Sequence, residues 1–280
     1  MIKKGFNIII SDKQLLVGIL GLTVLLFLIV AAPLITNVDP MYFGPDMLNR
    51  PGENGHVLGT NKLGQDIYTM IVYGVRTSLK VGIGAALISG VIGVIVGGAA
   101  GFFGGWLDKI IQEVINMFMM LPYLFLILLI VAIFGNSITN VMIVIGVTTW
   151  PSNAKLMRAQ ALTLKERTFV KSSEAMGETK FQILIRYIIP NGIFPVIANT
   201  TSGMAGAILS EAGLSFLGLG DPTVVSWGQM IQDGKALITS AWWITVFPGL
   251  AIVFTVMTFF LLGDGLNHIL NPKHSSGGDH

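Results

Sequence analysis

Twenty-one consecutive residues, Leu15 to Ile35 (LLVGILGLTVLLFLIVAAPLI), carry no charge. About 20 apolar residues in a helix cross a bilayer core, and in lipid only a helix satisfies its backbone polar groups within one segment. The apolar part of a signal peptide is only about 7–15 residues long, so this run reads as a retained span. Further apolar runs cover Val81 to Phe103, Val114 to Phe134, Ile193 to Leu217 and Trp243 to Leu262, with a more polar one, Ser137 to Met157, around Pro151. A mean hydropathy of +0.74 and a charged fraction of 11% exclude an ordinary soluble domain. The expected fold is an all-α polytopic membrane protein with six transmembrane helices.

Basic residues orient the spans. With both termini in the cytoplasm, that side holds Lys3, Lys4, Lys13, Lys109, Lys155, Arg158, Lys165, Arg167, Lys171, Lys180, Arg186 and Lys273. The opposite side holds Arg50, Lys62, Arg76, Lys80 and Lys235. This asymmetry satisfies the positive-inside bias. The chain then divides into residues 1–36 (cytoplasmic N-terminus and first span), an extracytoplasmic loop over 37–78, a helical core over 79–267, and a cytoplasmic tail over 268–280. The 37–78 loop is long enough to serve a purpose, such as covering an outer opening, although surface scaffolding would look the same.

Several chemistries are absent from the sequence. The net charge of +2 is small and dispersed, which argues against nucleic acid as a partner. There is no cysteine, hence no disulfide or thiolate metal site. No GxxxxGK[ST] appears, so this chain cradles no nucleotide itself. His56, His268, His274 and His280 are far apart and read as solvated side chains, and neither a metal site nor a catalytic group is expected.

Two polar patterns interrupt the apolar runs. Gly93, Gly97, Gly101 and Gly105 recur every four residues, the spacing that lets helix backbones approach in lipid. Thr149 and Asn153, with Asn199, Gly203, Gly206 and Ser210, form small polar faces that should avoid lipid. They either line a pathway or hydrogen-bond between helices. Glu211 is the one acid inside a run and so a functional candidate, yet it stands about 27 Å along its helix, near the outer surface, where a structural role is equally open. Asp264, between Gly263 and Gly265, reads as a helix-end residue.

The segment at about residues 165–191 is cytoplasmic and amphipathic. Phe181, Leu184, Ile185 and Ile188 fall at i, i+3, i+4 and i+7, predicting a helix with an apolar face turned towards its own spans. Phe169, Val170 and Met176 share a face of a shorter helix before it. Gly177 permits a sharp turn between the two, and Pro190 closes the second.

Here the residues resemble a known family. Gly177 and Pro190 keep the spacing of the coupling loop of ABC importer permeases, whose Glu-Ala-Ala falls on Lys171, Ser172 and Ser173, followed by Glu174, Ala175 and Met176. The acidic residue is therefore replaced. HVLGTNKLGQDIYTMIVYGVRTSLKVG (His56 to Gly82), LSFLGLGDPTVVSWGQMI (Leu214 to Ile231) and FPGLAIVFTVMTFFLLGDGLNHILNP (Phe247 to Pro272) are similar to the C-type permease subunits of dipeptide, oligopeptide and nickel importers. The resemblance implies a type I importer permease, with a five-helix core plus an N-terminal helix, in a prokaryotic inner membrane. It also implies a homologous B-type permease, two ATP-binding subunits carrying ATP and Mg, and an extracytoplasmic solute-binding protein as partners. Residues 171–177 would dock on an ATPase. Peptides are the expected cargo; nickel or a metal chelate is the alternative. An ion-coupled secondary transporter would need inverted repeats and a midplane ion site, which the sequence does not display, and a membrane scaffold would not need a docking loop.

Overall fold

Asp12 opens the first helix by accepting a hydrogen bond from the Leu15 amide at 2.9 Å, and α1 (Lys13–Ile35) then runs without a charge after Lys13. The structure, a computed structural model, describes residues 12–270. Lys3, Lys4, Lys273, His274 and His280 lie outside those residues. The elements after α1 are α2 (Ile67–Phe103), α3 (Gly105–Met120), α4 (Tyr123–Phe134) and α5 (Ile138–Leu164). They continue as α6 (Thr168–Ala175), α7 (Lys180–Ile183), α8 (Ile189–Gly192), α9 (Phe194–Leu214), α10 (Trp227–Gly234) and α11 (Trp243–Leu270). Among the described residues there is no strand, only an isolated bridge between Thr60 and Asp66.

Four helices, α1, α2, α9 and α11, are long and apolar enough to span a membrane, and α3 with α4 makes a fifth if the bent pair is one span. The more polar α5 has 27 residues, about 40 Å of helix, and so has the length to cross as well. The six expected spans therefore fall on helices, with four corrections. The second begins at Ile67, not Val81, because Asp66 caps it, accepting from the Thr69 amide at 2.7 Å. At 37 residues it is about 55 Å long and takes in the last part of the expected 37–78 loop. The third is not straight: α3 and α4 meet at 88°. Pro122 offers no N–H and forces Leu121 into extended backbone (ψ 135°), so the helix cannot continue through it. The fourth continues past Met157 to Leu164. The last continues past Leu262 to Leu270, so Asp264 lies within it. Its flanking glycines admit neighbours: Gly263 faces Ser202 of α9 and Gly265 faces Leu15 of α1.

Glycines also set the closest helix pair. A Cβ at Gly93 or Gly97 would collide with the α5 backbone at Asn153 and Ala154, and one at Gly101 would collide with Arg158 and Ala161. The four-residue spacing therefore packs α2 onto α5. Gly105 is the exception; it begins α3 at φ +62°, and a Cβ there would meet nothing within 4 Å.

Residues 36–66 form a built loop. The indole N–H of Trp243 donates to the Thr60 carbonyl at 3.1 Å, and Lys62 pairs with Asp233 of α10 at 3.0 Å. His56, expected to be solvated, is half-buried and bonds Asp66 at 2.8 Å, the oxygen of the cap not used by Thr69. At the opposite end of the molecule, His268 reaches Asp12 at 3.2 Å. The backbone bond from Leu15, with the His268 contact, holds the Asp12 carboxyl below its usual range despite partial burial.

Candidate functional site

Two places concentrate the unusual residues, and they share helices. The first is a cavity of ≈ 770 Å³ walled by α4, α5, α9, α10 and α11. Gly203, Gly206 and Gly213 of α9 open into it, since a Cβ at any of them would meet nothing within 4 Å. Its polar groups are the hydroxyls of Tyr123, Thr149 and Ser210; Leu124, Leu209, Phe216, Ile231 and Ile252 make most of the rest. Among the described residues, no Asp, Glu, His, Lys or Arg lines it. Tyr123 and Ser210 are hydrogen-bonded at 3.1 Å, joining the bent third segment to α9.

Of the small polar faces that either line a pathway or hydrogen-bond between helices, Thr149, Gly203, Gly206 and Ser210 border this cavity. Asn153 and Asn199 sit beside it, along a cleft of ≈ 40 Å³, and are held in an interhelical network. The Asn153 amide donates to Ser89 of α2 at 2.9 Å, while its carbonyl oxygen accepts from Asn199 at 2.8 Å and Thr200 at 3.3 Å. Glu211 faces elsewhere. It is 2% exposed and accepts from the hydroxyls of Ser215 and Ser226, both at 2.7 Å, tying α9 to the cap of α10. Helical rotation explains the separation, because Glu211 follows Ser210 by 100° and points away from the cavity.

Tyr123, Phe216, Ile231 and Ile252 belong to the wall but escaped the sequence reading. Tyr123 carried a signal, a phenol directly after Pro122 in an otherwise apolar run. The others look like any buried apolar residue.

The second place is the hairpin formed by α6, α7 and α8. Ser172 and Ser173 bond back to the carbonyls of Thr168 and Phe169, and Ser173 and Val170 are buried. Gly177 stands at φ +86°. The Gly177 amide reaches the Glu174 carbonyl at 3.0 Å and the Glu178 amide reaches that of Ser173 at 3.2 Å, the paired bonds of a glycine-terminated helix. Thr179 then caps α7 with a reciprocal Gln182 bond. Glu178 accepts from Arg186 at 3.2 Å and from the Tyr187 hydroxyl at 3.1 Å, closing the corner.

The buried face differs from the expected one. Val170, Ile183, Leu184 and Ile188 are buried against Phe102 of α2, Met157 and Ala161 of α5, and Val196 of α9. Phe181 and Ile185 are instead 66% and 51% exposed, together with Met176 at 75%. Leu184–Ile188 is a π-helical turn, so the i, i+3, i+4 spacing no longer describes one face there. The same turn carries the chain through Pro190, which was expected to close the helix: helical backbone continues to Gly192, and Ile193, at φ −73° and ψ −24°, joins it to α9. Lys171 points outward and pairs with Glu166 at 3.0 Å. The hydrogen bond from Lys171 holds the Glu166 carboxyl below its usual range.

Comparison with known proteins places this geometry in a family. Residues 90–276 match the profile of the binding-protein-dependent transport system inner membrane component. A dipeptide transport system permease protein of Alkalihalophilus pseudofirmus is 34% identical over 275 residues, 98% of this chain and 90% of that protein. The corresponding dipeptide permease protein of Bacillus subtilis is 38% identical, covering 90% of this chain and 81% of that protein. A glutathione transport system permease protein of Pectobacterium atrosepticum is 36% identical, covering 84% and 78% respectively. Among solved structures, a chain of the MetNI methionine ABC transporter in an inward-facing conformation superposes with a TM-score of 0.57 at 19% identity, covering 71% of this chain and 96% of that one.

Proposed function

Since the chain belongs to the family of binding-protein-dependent transport system inner membrane components, we propose that it is the permease subunit through which an ATP-driven importer moves small peptides into the cell. The cavity is its half of the translocation path, and a homologous B-type permease supplies the other half. Two ATPase subunits, carrying ATP and Mg, engage the hairpin, and a solute-binding protein delivers cargo at the 36–66 side. Both termini then lie in the cytoplasm.

One observation carries this reading: the hairpin is fastened by an apolar core to α2, α5 and α9, and α5 and α9 are also cavity walls. A push on a stiff hairpin therefore reaches the cavity, whereas a loose one could not bias an equilibrium between two states. The exposed side chains of Met176, Phe181 and Ile185 offer apolar docking surface, and Lys171 stands in the loop where the resemblance expects an acid.

The wall chemistry favours peptides over a bare metal ion. Hydroxyls and accessible backbone at the glycines suit amide groups, while the described lining residues present no carboxylate or imidazole to nickel. A neutral wall also leaves choice among peptides, glutathione-sized ones included, to the binding protein.

The test is reconstitution of the full complex in proteoliposomes. ATP-dependent accumulation of a labelled dipeptide is expected, with nickel failing to compete. Uptake that follows an ion gradient and needs no ATPase subunit would overturn the assignment.

A further inference from the structure

The bent third segment is attached at both ends to moving parts of the proposed machinery. At its start, Arg158 of α5 holds Asp108 of α3 by two parallel hydrogen bonds, Nε to Oδ1 at 2.6 Å and an Nη to Oδ2 at 2.7 Å. This fork geometry is specific to arginine and carboxylate and fixes orientation as well as distance. Alongside it, Lys165 reaches the Gly101 carbonyl at 3.4 Å, binding the end of α2 to the end of α5. Further along, Ile115 is fully buried against Trp150 and Ala154 of α5, and the Phe118 and Trp150 rings meet edge to face at 5.6 Å. α3 is thus locked to α5 along its length.

At the other end comes the Leu121–Pro122 break, and directly after it Tyr123, bonded to Ser210 at the cavity wall. Three residues separate Leu164, the last of α5, from Thr168, the first of the hairpin, and the Arg158 clamp lies within the two helical turns before Leu164.

We propose that Asp108 and Arg158 are positioning residues for transport: their clamp makes α3 a lever that carries motion of the hairpin and α5 through the Pro122 bend to the Tyr123–Ser210 contact, which latches the cavity. This rests on the importer reading above. When α5 shifts, α3 shifts with it, and the proline break concentrates the displacement at Tyr123. Separating the two hydroxyls frees α4 from α9 and changes the width of the wall there. Without the clamp, only the apolar contacts around Ile115 and Phe118 hold α3 to α5, and part of the hairpin's motion is lost before it reaches the latch.

The prediction is uncoupling. Asp108→Asn and Arg158→Gln, each in the complete complex in proteoliposomes, should lower dipeptide uptake on the order of tenfold, the range of ordinary coupling energies, while ATP hydrolysis stays near wild type. Arg158→Lys keeps the charge but not the fork and should fall between. The charge-swapped double variant, Asp108→Arg with Arg158→Asp, should recover uptake over either single variant. Wild-type uptake by the single variants would overturn the proposal. So would parallel loss of uptake, ATP hydrolysis and subunit assembly, which marks a merely structural pair, or a double variant that assembles and hydrolyses ATP yet transports no better than the singles. Failure of the importer reading is distinguishable, because the wild-type complex would then show no ATP-driven uptake at all.

Discussion

Gly177 shows how much a single Cβ can report. Its φ of +86° suits glycine, and a Cβ there would meet nothing within 4 Å, so a substitution tests backbone strain alone. Gly177→Ala should cost about 1–2 kcal/mol through the left-handed conformation. In detergent, that corresponds to a lowering of the thermal midpoint by a few degrees, roughly 2–4 °C per kcal/mol. A bulky residue at 177 should block uptake in membranes while the protein remains inserted; normal uptake would separate the hairpin from coupling. Gly206 poses the opposite test. It also has open space around it, but inside the cavity. Gly206→Leu should fill the path, cutting uptake strongly with the thermal midpoint almost unmoved. A large fall in that midpoint would mean the space is needed for packing instead.

At the scale of elements, short polar contacts decide how apolar helices end and meet. Asp221 binds the loop after α9 to the start of α5, accepting from the Ile138 amide at 3.0 Å and from the hydroxyl and amide of Thr223. Burial pushes its carboxyl up, but these bonds and the charge of Lys80 outweigh it, so the net direction is down. A carboxyl depressed in the folded state adds stability that is present above its unfolded value, about 3.9, and is lost as pH falls through the lower folded value. The thermal midpoint of wild type should therefore drop on acidification below about pH 4 by more than that of Asp221→Asn, which carries no titrating group there. Equal acid sensitivity of the two proteins would show that the loop anchor contributes nothing.

For the whole molecule, the α2–α5 contact is the axis on which the rest depends. It lies between the cavity and the hairpin, and the third segment packs onto the same pair through Ile92, Val96 and Ile111. Gly97→Val would set two methyl groups against the Ala154 backbone, which cannot retreat as a flexible side chain could. Such overpacking should cost about 1–3 kcal/mol or more and should lower the yield of assembled complex as well as the thermal midpoint. A valine at Gly203, where nothing lies within 4 Å, is the control and should leave assembly intact.

Hydrophobic run length and charge asymmetry were enough to read an all-helical membrane chain, its approximate spans and an amphipathic hairpin at Gly177, because lipid permits few backbone solutions. The glycine ladder at Gly93, Gly97 and Gly101 was legible for the same reason. Other features depended on partners distant in the sequence. Phe181 and Ile185 kept helical spacing yet turned outward, since a π-helical turn shifts the period without any mark in composition. Glu211 left a functional and a structural role equally open in the sequence, and only the fold brings Ser215 and Ser226 to donate to it. The run from Val114 to Phe134 read as one span, but Pro122 broke it, and Asp108 finding Arg158 fixed where its first half lies. Pattern along a chain reports what a segment must bury; only the assembled fold decides against which neighbour, because that choice is made by contacts between residues far apart in the sequence.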